Sequence, residues 1–309
     1  MSAARSPAIS VTGLHKQFEG IAALRDVDFS VPPGTTAALV GPPASGKSTT
    51  VRILLGLLQA DSGVAALSRA GGIGAVLQPR GLHPARSLRA QLRIYAAAAG
   101  VGDERVETVL TALGLSEAAA TRVREVPEGT LTRLALAQAL LADPRVLVLD
   151  DPFDGLESGE RTWLFDYLRG HGRRGGTTLL TSRSLAAAVP LCDQVIVLSS
   201  GTVAYQGSPR RLRRNHPDRL VVAASSPIAL ATTLASQGFT DAVMRGDGRL
   251  AIAEASPAEI EAAAVLARVQ LGEMVAEPVH PDRVLAVLTK STPPPAYPSP
   301  TPATTYGTR

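Results

Sequence analysis

At 309 residues, with 45% hydrophobic and 19% charged positions, the chain is long enough for two globular domains and a tail. It has no run near the ~18 apolar residues that a membrane span needs, and Met1 to Ser10 lack the charged-then-apolar order of a signal peptide, so a cytoplasmic protein is expected. The single cysteine, Cys192, excludes an internal disulfide, five scattered histidines argue against a structural metal, and a net charge of +4 permits contact with anionic surfaces without implying nucleic acid.

Ile9 to Leu14 and Ala23 to Val31 read as strands, the second alternating Val27, Phe29 and Val31 against Asp28 and Ser30. Lys16 to Gly20 reads as a turn with one aromatic, Phe18, placed either to stack on a nucleobase or to anchor the turn. Pro32-Pro33-Gly34 then leads into the apolar run Ala37 to Val40, the segment Gly41-Pro42-Pro43-Ala44-Ser45-Gly46-Lys47-Ser48-Thr49, and a helical pattern from Thr50 to Leu58. Strand, Gly-x-x-x-x-Gly-Lys-Ser and helix in that order make a phosphate-binding loop, whose backbone N–H groups and helix end wrap a polyphosphate. Lys47 is predicted to reach the β- and γ-phosphates, and Ser48 offers a hydroxyl to Mg²⁺. The plainer reading, a glycine-rich turn without ligand, leaves that lysine and hydroxyl without a packing reason.

Ile73 to Leu77 is a short predicted strand ending at Gln78-Pro79, and Ser87 to Ala99, Glu104 to Leu113 and Leu131 to Leu141 are helical in pattern, so residues 79–142 read as a helical insertion. The all-apolar run Val146 to Leu149 ends at Asp150 and Asp151. An apolar parallel strand followed by Asp is the Walker B partner of a phosphate loop, with Asp150 holding Mg²⁺ directly or through water. Thr177 to Thr181 and Gln194 to Leu198 add core strands around a helix at Leu185 to Leu191. A doubly wound α/β P-loop domain thus accounts for residues 1–214.

The charge run Arg210-Arg211-Leu212-Arg213-Arg214 is a solvated helix face or a contact for anionic headgroups. From Leu220 the pattern restarts as strand 220–224, helix 228–237, strand 242–245, strand 249–253, helix 257–269 and strand 274–279. That βαββαβ order predicts a small α+β ferredoxin-like domain over 215–290, closing with a helical piece at Asp282 to Leu288. The Pro- and Thr-rich segment 291–309 is expected to be disordered.

In order and spacing, these motifs resemble the ATP-binding subunits of ABC transporters over residues 9 to 214. The resemblance implies ATP and Mg²⁺ as ligands, with Phe18 the adenine-stacking aromatic and Gly41 to Ser48 the Walker A loop. It makes Gln78 the Q-loop residue that joins Mg²⁺ to the membrane subunit, Asp150 the Walker B aspartate, and Asp154 to Ser158 the D-loop. The C-terminal domain, ending in Arg283 to Thr289, is similar to the extension of bacterial ABC-2 drug and antibiotic exporters. The implied partners are a separate integral-membrane permease, which would hold the subunit on the inner face of the cell membrane, and a second ATP-binding subunit in a homodimer or heterodimer.

The departures from the family pattern cluster around hydrolysis. Where the family has Leu-Ser-Gly-Gly-Gln, which grips the γ-phosphate held by the opposite subunit, this chain has Val126-Pro127-Glu128-Gly129-Thr130. Pro127 brings neither hydroxyl nor N–H, and Glu128 places a negative charge where an anion docks, although both residues suit a first helical turn. Asp151 stands for the water-polarising glutamate and Arg183 for the H-loop histidine; Ala44 replaces a P-loop glycine and Glu157 the D-loop aspartate. Segment 62–78 is shorter than usual, so an edge hairpin is expected to be trimmed. The expectation is an ATP-binding subunit of an exporter with weak hydrolysis of its own, or a non-hydrolytic regulatory partner of an intact subunit. ABC-like ATPases of DNA repair and translation carry long coiled-coil arms or two tandem halves, and this chain has neither.

Overall fold

The computed structural model describes residues 6–289; the tail at 291–309 lies outside the described residues. The chain opens with β1 (Ile9–Phe18) and β2 (Ile21–Val31), an antiparallel hairpin that pairs Phe18 with Ile21 across Glu19-Gly20. Both turn residues have positive φ, the geometry that a two-residue hairpin requires. Phe18 therefore ends a strand, where the sequence predicts a broader turn.

Next come β3 (Thr36–Val40) and α1 (Lys47–Leu54). The helix starts three residues earlier than its apolar pattern, because the phosphate loop itself turns into the first helical turn. It is followed by β4 (Ser62–Leu67), which pairs with β1 and was not predicted: its Ser-Gly-Val-Ala-Ala-Leu composition has little β propensity, and pairing decides. After β5 (Ile73–Val76) the helical insertion holds α2 (Leu88–Ala99), α3 (Asp103–Ala112) and α4 (Glu128–Leu140). β6 (Val146–Leu149) precedes α5 (Ser158–Arg173), an unpredicted helix whose sequence includes Gly159, Gly170 and Gly172. Burial of Leu164 and Leu168 outweighs the propensity cost of those glycines. β7 (Thr177–Ser182), α6 (Leu185–Ala188), β8 (Gln194–Ser199) and β9 (Thr202–Gly207) complete the layer, β9 as an unpredicted antiparallel edge.

The main sheet runs in the order β5-β6-β7-β3-β8-β9, so the strand before the phosphate loop is central, flanked in parallel by β7 and β8. Its two faces are buried in different cores. Ala37, Leu39, Val146, Val148, Leu179, Ile196 and Leu198 pack toward the antiparallel sheet and α1, and Ala38, Val40, Leu147, Leu149, Leu180, Val195 and Val197 toward the helices. Burial on both faces explains why these strands read as unbroken apolar runs instead of alternating ones.

A short helix, α7 (Pro209–Asn215), carries the arginine run with all four arginines exposed, and leads to β10 (Arg219–Ala224) and α8 (Pro227–Ser236). β11 (Ala242–Met244), β12 (Leu250–Ala253), α9 (Pro257–Ala267) and β13 (Leu271–Glu277) follow. The sheet order β11-β12-β10-β13 is that of a ferredoxin-like βαββαβ unit, with Val222, Leu230, Ile252 and Ile260 in its core. Among the described residues no helix is long and apolar enough to cross a membrane.

The last helix, α10 (Pro281–Thr289), departs from the expected division. Instead of closing the ferredoxin-like unit it returns to the first layer against α6 and β8, with Val284 and Leu285 buried in the same core as Leu185 and Val197. Its amphipathic apolar stripe needs a surface to cover, and β8 and α6 supply one. Leu285→Ala is expected to lower stability by about 2–3 kcal/mol in urea titration, and truncation after Val279 to destabilise the nucleotide layer. An unchanged urea midpoint in both variants would show that α10 is dispensable to that core.

Candidate functional site

The carboxyl ends of β3, β6 and β7 meet at one place: Gly41 and Asp150 follow β3 and β6, and Ser182 is the last residue of β7. Between β3 and α1 the loop needs unusual backbone. Gly46 caps α1 at φ 101, and a Cβ there would stand 2.5 Å from Leu24 and 2.7 Å from the Ala23 carbonyl. At Gly41 a Cβ would meet the Leu198 carbonyl at 2.3 Å. Ala44 has φ 60, a left-handed conformation that costs a β-carbon roughly 1 kcal/mol and that a glycine would adopt freely.

Lys47 is buried and folds back on the loop, donating from Nζ to the carbonyls of Gly41 and Pro42 at 2.8 Å each and approaching Ser45 Oγ at 3.3 Å. Burial pulls its pKa from 10.5 down to about 8, against the opposing pull of Asp151 and Asp150. An ammonium held by two carbonyls and a hydroxyl of its own desolvated loop is poised to exchange them for phosphate oxygens.

Asp150 is 4% exposed. Its Oδ1 accepts from Thr181 Oγ1 at 2.6 Å and from Ser48 Oγ at 3.3 Å, so β6, β7 and α1 converge on one carboxylate. Ser48 and Asp150 form an all-oxygen donor set of the sort that suits Mg²⁺, which keeps waters and phosphate oxygens as its other ligands. Gln78 lies just beyond β5, half-buried, where its carbonyl accepts from Arg52 at 3.3 Å.

Phe18, 45% exposed, lines a cleft of about 460 Å³ together with Ala44, Gly46, Lys47, Ser48 and Thr49, and Lys16 Nζ stands 5.4 Å from its ring centroid. The aromatic and the phosphate loop, more than twenty positions apart in sequence, therefore share one cavity. Larger clefts lie along the β5 edge; one of them, about 480 Å³, runs between Pro79-Arg80 and the helical insertion at Tyr95, Ala135 and Gln138.

The residues that depart from the expected pattern are held by ion pairs. Asp151, at φ 48, turns its carboxylate to Arg183, whose Nε donates to Oδ2 at 2.9 Å; burial raises the Asp151 pKa while Arg183 pulls it down. The same guanidinium reaches Asp154 at 3.4 Å. Glu128, the first residue of α4, pairs with Arg80, whose side chain is 10% exposed and whose other nitrogen reaches the Asp154 carbonyl at 3.4 Å. The negative charge that the sequence places at Glu128 is thus paired with a guanidinium in its own subunit. Pro127 caps α4 without a side-chain bond, and Thr130 is half-buried. The Glu160 carboxylate occupies the space beside Gly129 that a Cβ would fill, so a larger residue there would require the Glu160 side chain to move. Arg80, Thr181 and Asp154 acquire their roles only in three dimensions; no motif marks Arg80.

A family model described as "ABC transporter" matches residues 24–154. The chain is 35% identical over 222 residues to the Nod factor export ATP-binding protein I of Bradyrhizobium sp. (strain SNU001), covering 68% of this chain and 73% of that protein. It is 33% identical over 216 residues to the sulfate/thiosulfate import ATP-binding protein CysA of Mycolicibacterium paratuberculosis (strain ATCC BAA-968 / K-10), covering 65% of this chain and 60% of that protein. A solved ATP-binding subunit of an ABC transporter superposes with a TM-score of 0.61 at 25% identity, over 68% of this chain and 93% of that one.

Because an anionic ligand raises the Lys47 pKa back from about 8, polyphosphate binding is expected to take up a proton above pH 8, and affinity to fall as pH rises further. Calorimetry at pH 8.5 in two buffers of different ionisation enthalpy reads that uptake. In the ligand-free protein the lowered pKa works against folding below pH 8, by an amount on the order of 3 kcal/mol that fades as pH approaches 10.5, so Lys47→Met is expected to raise stability at pH 7 while abolishing nucleotide binding. Retained affinity in that variant would remove Lys47 from the site.

Proposed function

The chain belongs to the ABC transporter family as an ATP-binding subunit, and from that premise we propose that it takes Mg·ATP to drive or gate export through a separate membrane permease, with little hydrolysis of its own. Nucleotide binding follows from the family. The observation that carries the finer reading is the Arg183–Asp151 pair: the carboxylate that would polarise the attacking water is engaged by the guanidinium that stands at the H-loop position.

In this reading Phe18 stacks on adenine, the loop from Gly41 to Thr49 wraps the phosphates, and Ser48, Asp150 and Gln78 hold Mg²⁺, which neutralises phosphate charge when bound. Arg183 leaves Asp151 for the terminal phosphate. Its pair is 55% exposed on the arginine side, so breaking it costs only ~0.2–1 kcal/mol. A bidentate guanidinium then holds the phosphate but does not shuttle a proton as a neutral imidazole would. Asp151 is one methylene short of a glutamate, and a carboxylate misplaced by ~1 Å can cost on the order of a hundredfold in rate. The permease docks in the cleft between Pro79-Arg80 and the helical insertion. Export, and not import, is favoured by the Nod factor export relative together with the ferredoxin-like extension.

The defects fall on both components of a composite site, which supports a second reading as the non-hydrolytic partner of an intact subunit in a heterodimer. A homodimer would bring Asp151 and Arg183 against Pro127 and Glu128 at both sites. Asp151→Glu with Arg183→His is therefore expected to restore little turnover in the homodimer until Pro127→Ser and Glu128→Gly are added. Steady-state phosphate release at saturating Mg·ATP, on permease-bound protein if the free subunit is quiescent, gives the answer. Robust turnover by the unmodified homodimer, lost in Asp151→Asn, would show that the aspartate suffices.

A further inference from the structure

The first turn of α10 meets the start of α6, directly after Arg183 in the chain. Asp282, in the first turn of α10, places its Oδ1 2.7 Å from the Leu185 N–H and 3.1 Å from the Ala186 N–H, and its two oxygens lie 3.2 and 3.1 Å from Ser184 Oγ. These donors are the start of α6, a helix of four residues. So short a helix cannot hold itself by its own ladder. Two of its N–H groups, which have no intrahelical partner, are satisfied by a carboxylate nearly a hundred positions later in sequence.

Asp282 is itself fixed. His280 Nδ1 accepts its backbone N–H at 3.3 Å, Val284 and Leu285 are buried behind it, and at the far end of α10 Ser199 Oγ donates to the Thr289 carbonyl at 3.4 Å. On the other side, Ser182 Oγ donates to the Ser184 carbonyl at 2.9 Å and accepts the Ser184 N–H at 3.1 Å. Arg183 sits between these two anchors, one residue from each, with its guanidinium on Asp151 and Asp154.

We infer that Asp282 is a positioning residue for Arg183: by holding Ser184, Leu185 and Ala186 it sets where the guanidinium stands, and so gives the C-terminal segment a direct hold on the terminal-phosphate contact. This rests on the reading of Arg183 as a ligand of that phosphate. It gives α10 a role that neither the family motifs nor the ferredoxin-like unit supplies. The residue touches no substrate and acts only through the backbone that carries Arg183.

ATP and ADP differ by the phosphate in question, so the ratio of their affinities separates positioning from simple stabilisation. Arg183→Ala is expected to weaken ATP binding about tenfold with ADP affinity unchanged, the size of one charge-assisted hydrogen bond in a partly exposed site. Asp282→Ala should lower the ATP-to-ADP affinity ratio three- to tenfold in full-length protein, Asp282→Asn, which keeps an acceptor for the two N–H groups, should stay within about twofold of the parent, and Arg183→Ala with Asp282→Ala should match Arg183→Ala alone. If the alanine variant fails to bind ADP, Asp282→Ser, too short to reach Leu185, carries the same expectation. A ratio untouched in the Asp282 variants while Arg183→Ala lowers it overturns this inference alone. A ratio untouched by Arg183→Ala overturns the phosphate-ligand reading and this inference with it.

Discussion

A carboxylate can stay in the interior only if its oxygens are satisfied there, and Asp150 shows what that requirement organises. Thr181 and Ser48 meet it at Oδ1 from β7 and from the first turn of α1, so the strand that ends in the carboxylate is tied to β7, the neighbour of β3 in the sheet, and to the helix that follows the phosphate loop. The buried Lys47 ammonium lies in the same region with opposite charge, held off by its own loop carbonyls. Neither ion is comfortable alone in a desolvated pocket. In the proposed reading a polyphosphate with a divalent cation would satisfy both at once.

The departures from the family pattern are connected. Asp151 pairs with Arg183, Arg183 reaches Asp154, the Asp154 carbonyl accepts from Arg80, and Arg80 neutralises Glu128. Gly155, at φ 74, brings the same loop so close to Glu128 that a Cβ would stand 2.3 Å from its Cγ. The segments after β5, at the start of α4, after β6 and after β7 are thus bridged within a single subunit. Most of these pairs are exposed and individually weak, so the chain of contacts biases the site without locking it.

The C-terminal segment makes two separate uses of its residues. Its βαββαβ unit closes its own core, while α10 leaves it to complete the core of the first layer. A boundary drawn by composition falls before β10, but the covalent order of the chain does not decide which core a terminal helix joins. Packing decides that, because an amphipathic helix settles wherever its apolar stripe finds a matching surface.

Taken alone, the sequence determined the elements whose chemistry is local: the phosphate loop, because Gly, Lys and Ser at fixed spacing specify backbone conformation and ligands together; the core strands, because burial on both faces writes continuous apolar runs; and the order of the ferredoxin-like unit. It also marked Phe18, Gln78, Asp150, Asp151 and Arg183 as candidate site residues. Only the tertiary structure decided what those residues touch. The strand β4 and the helix α5 exist through pairing and burial that outweigh weak local propensity, and Arg80, Thr181 and Asp282 meet their partners across 48, 31 and 97 positions of sequence. A charge in a sequence declares its sign but not its counter-ion, since that is fixed by which strand ends and helix starts the packed sheet brings within a few ångströms.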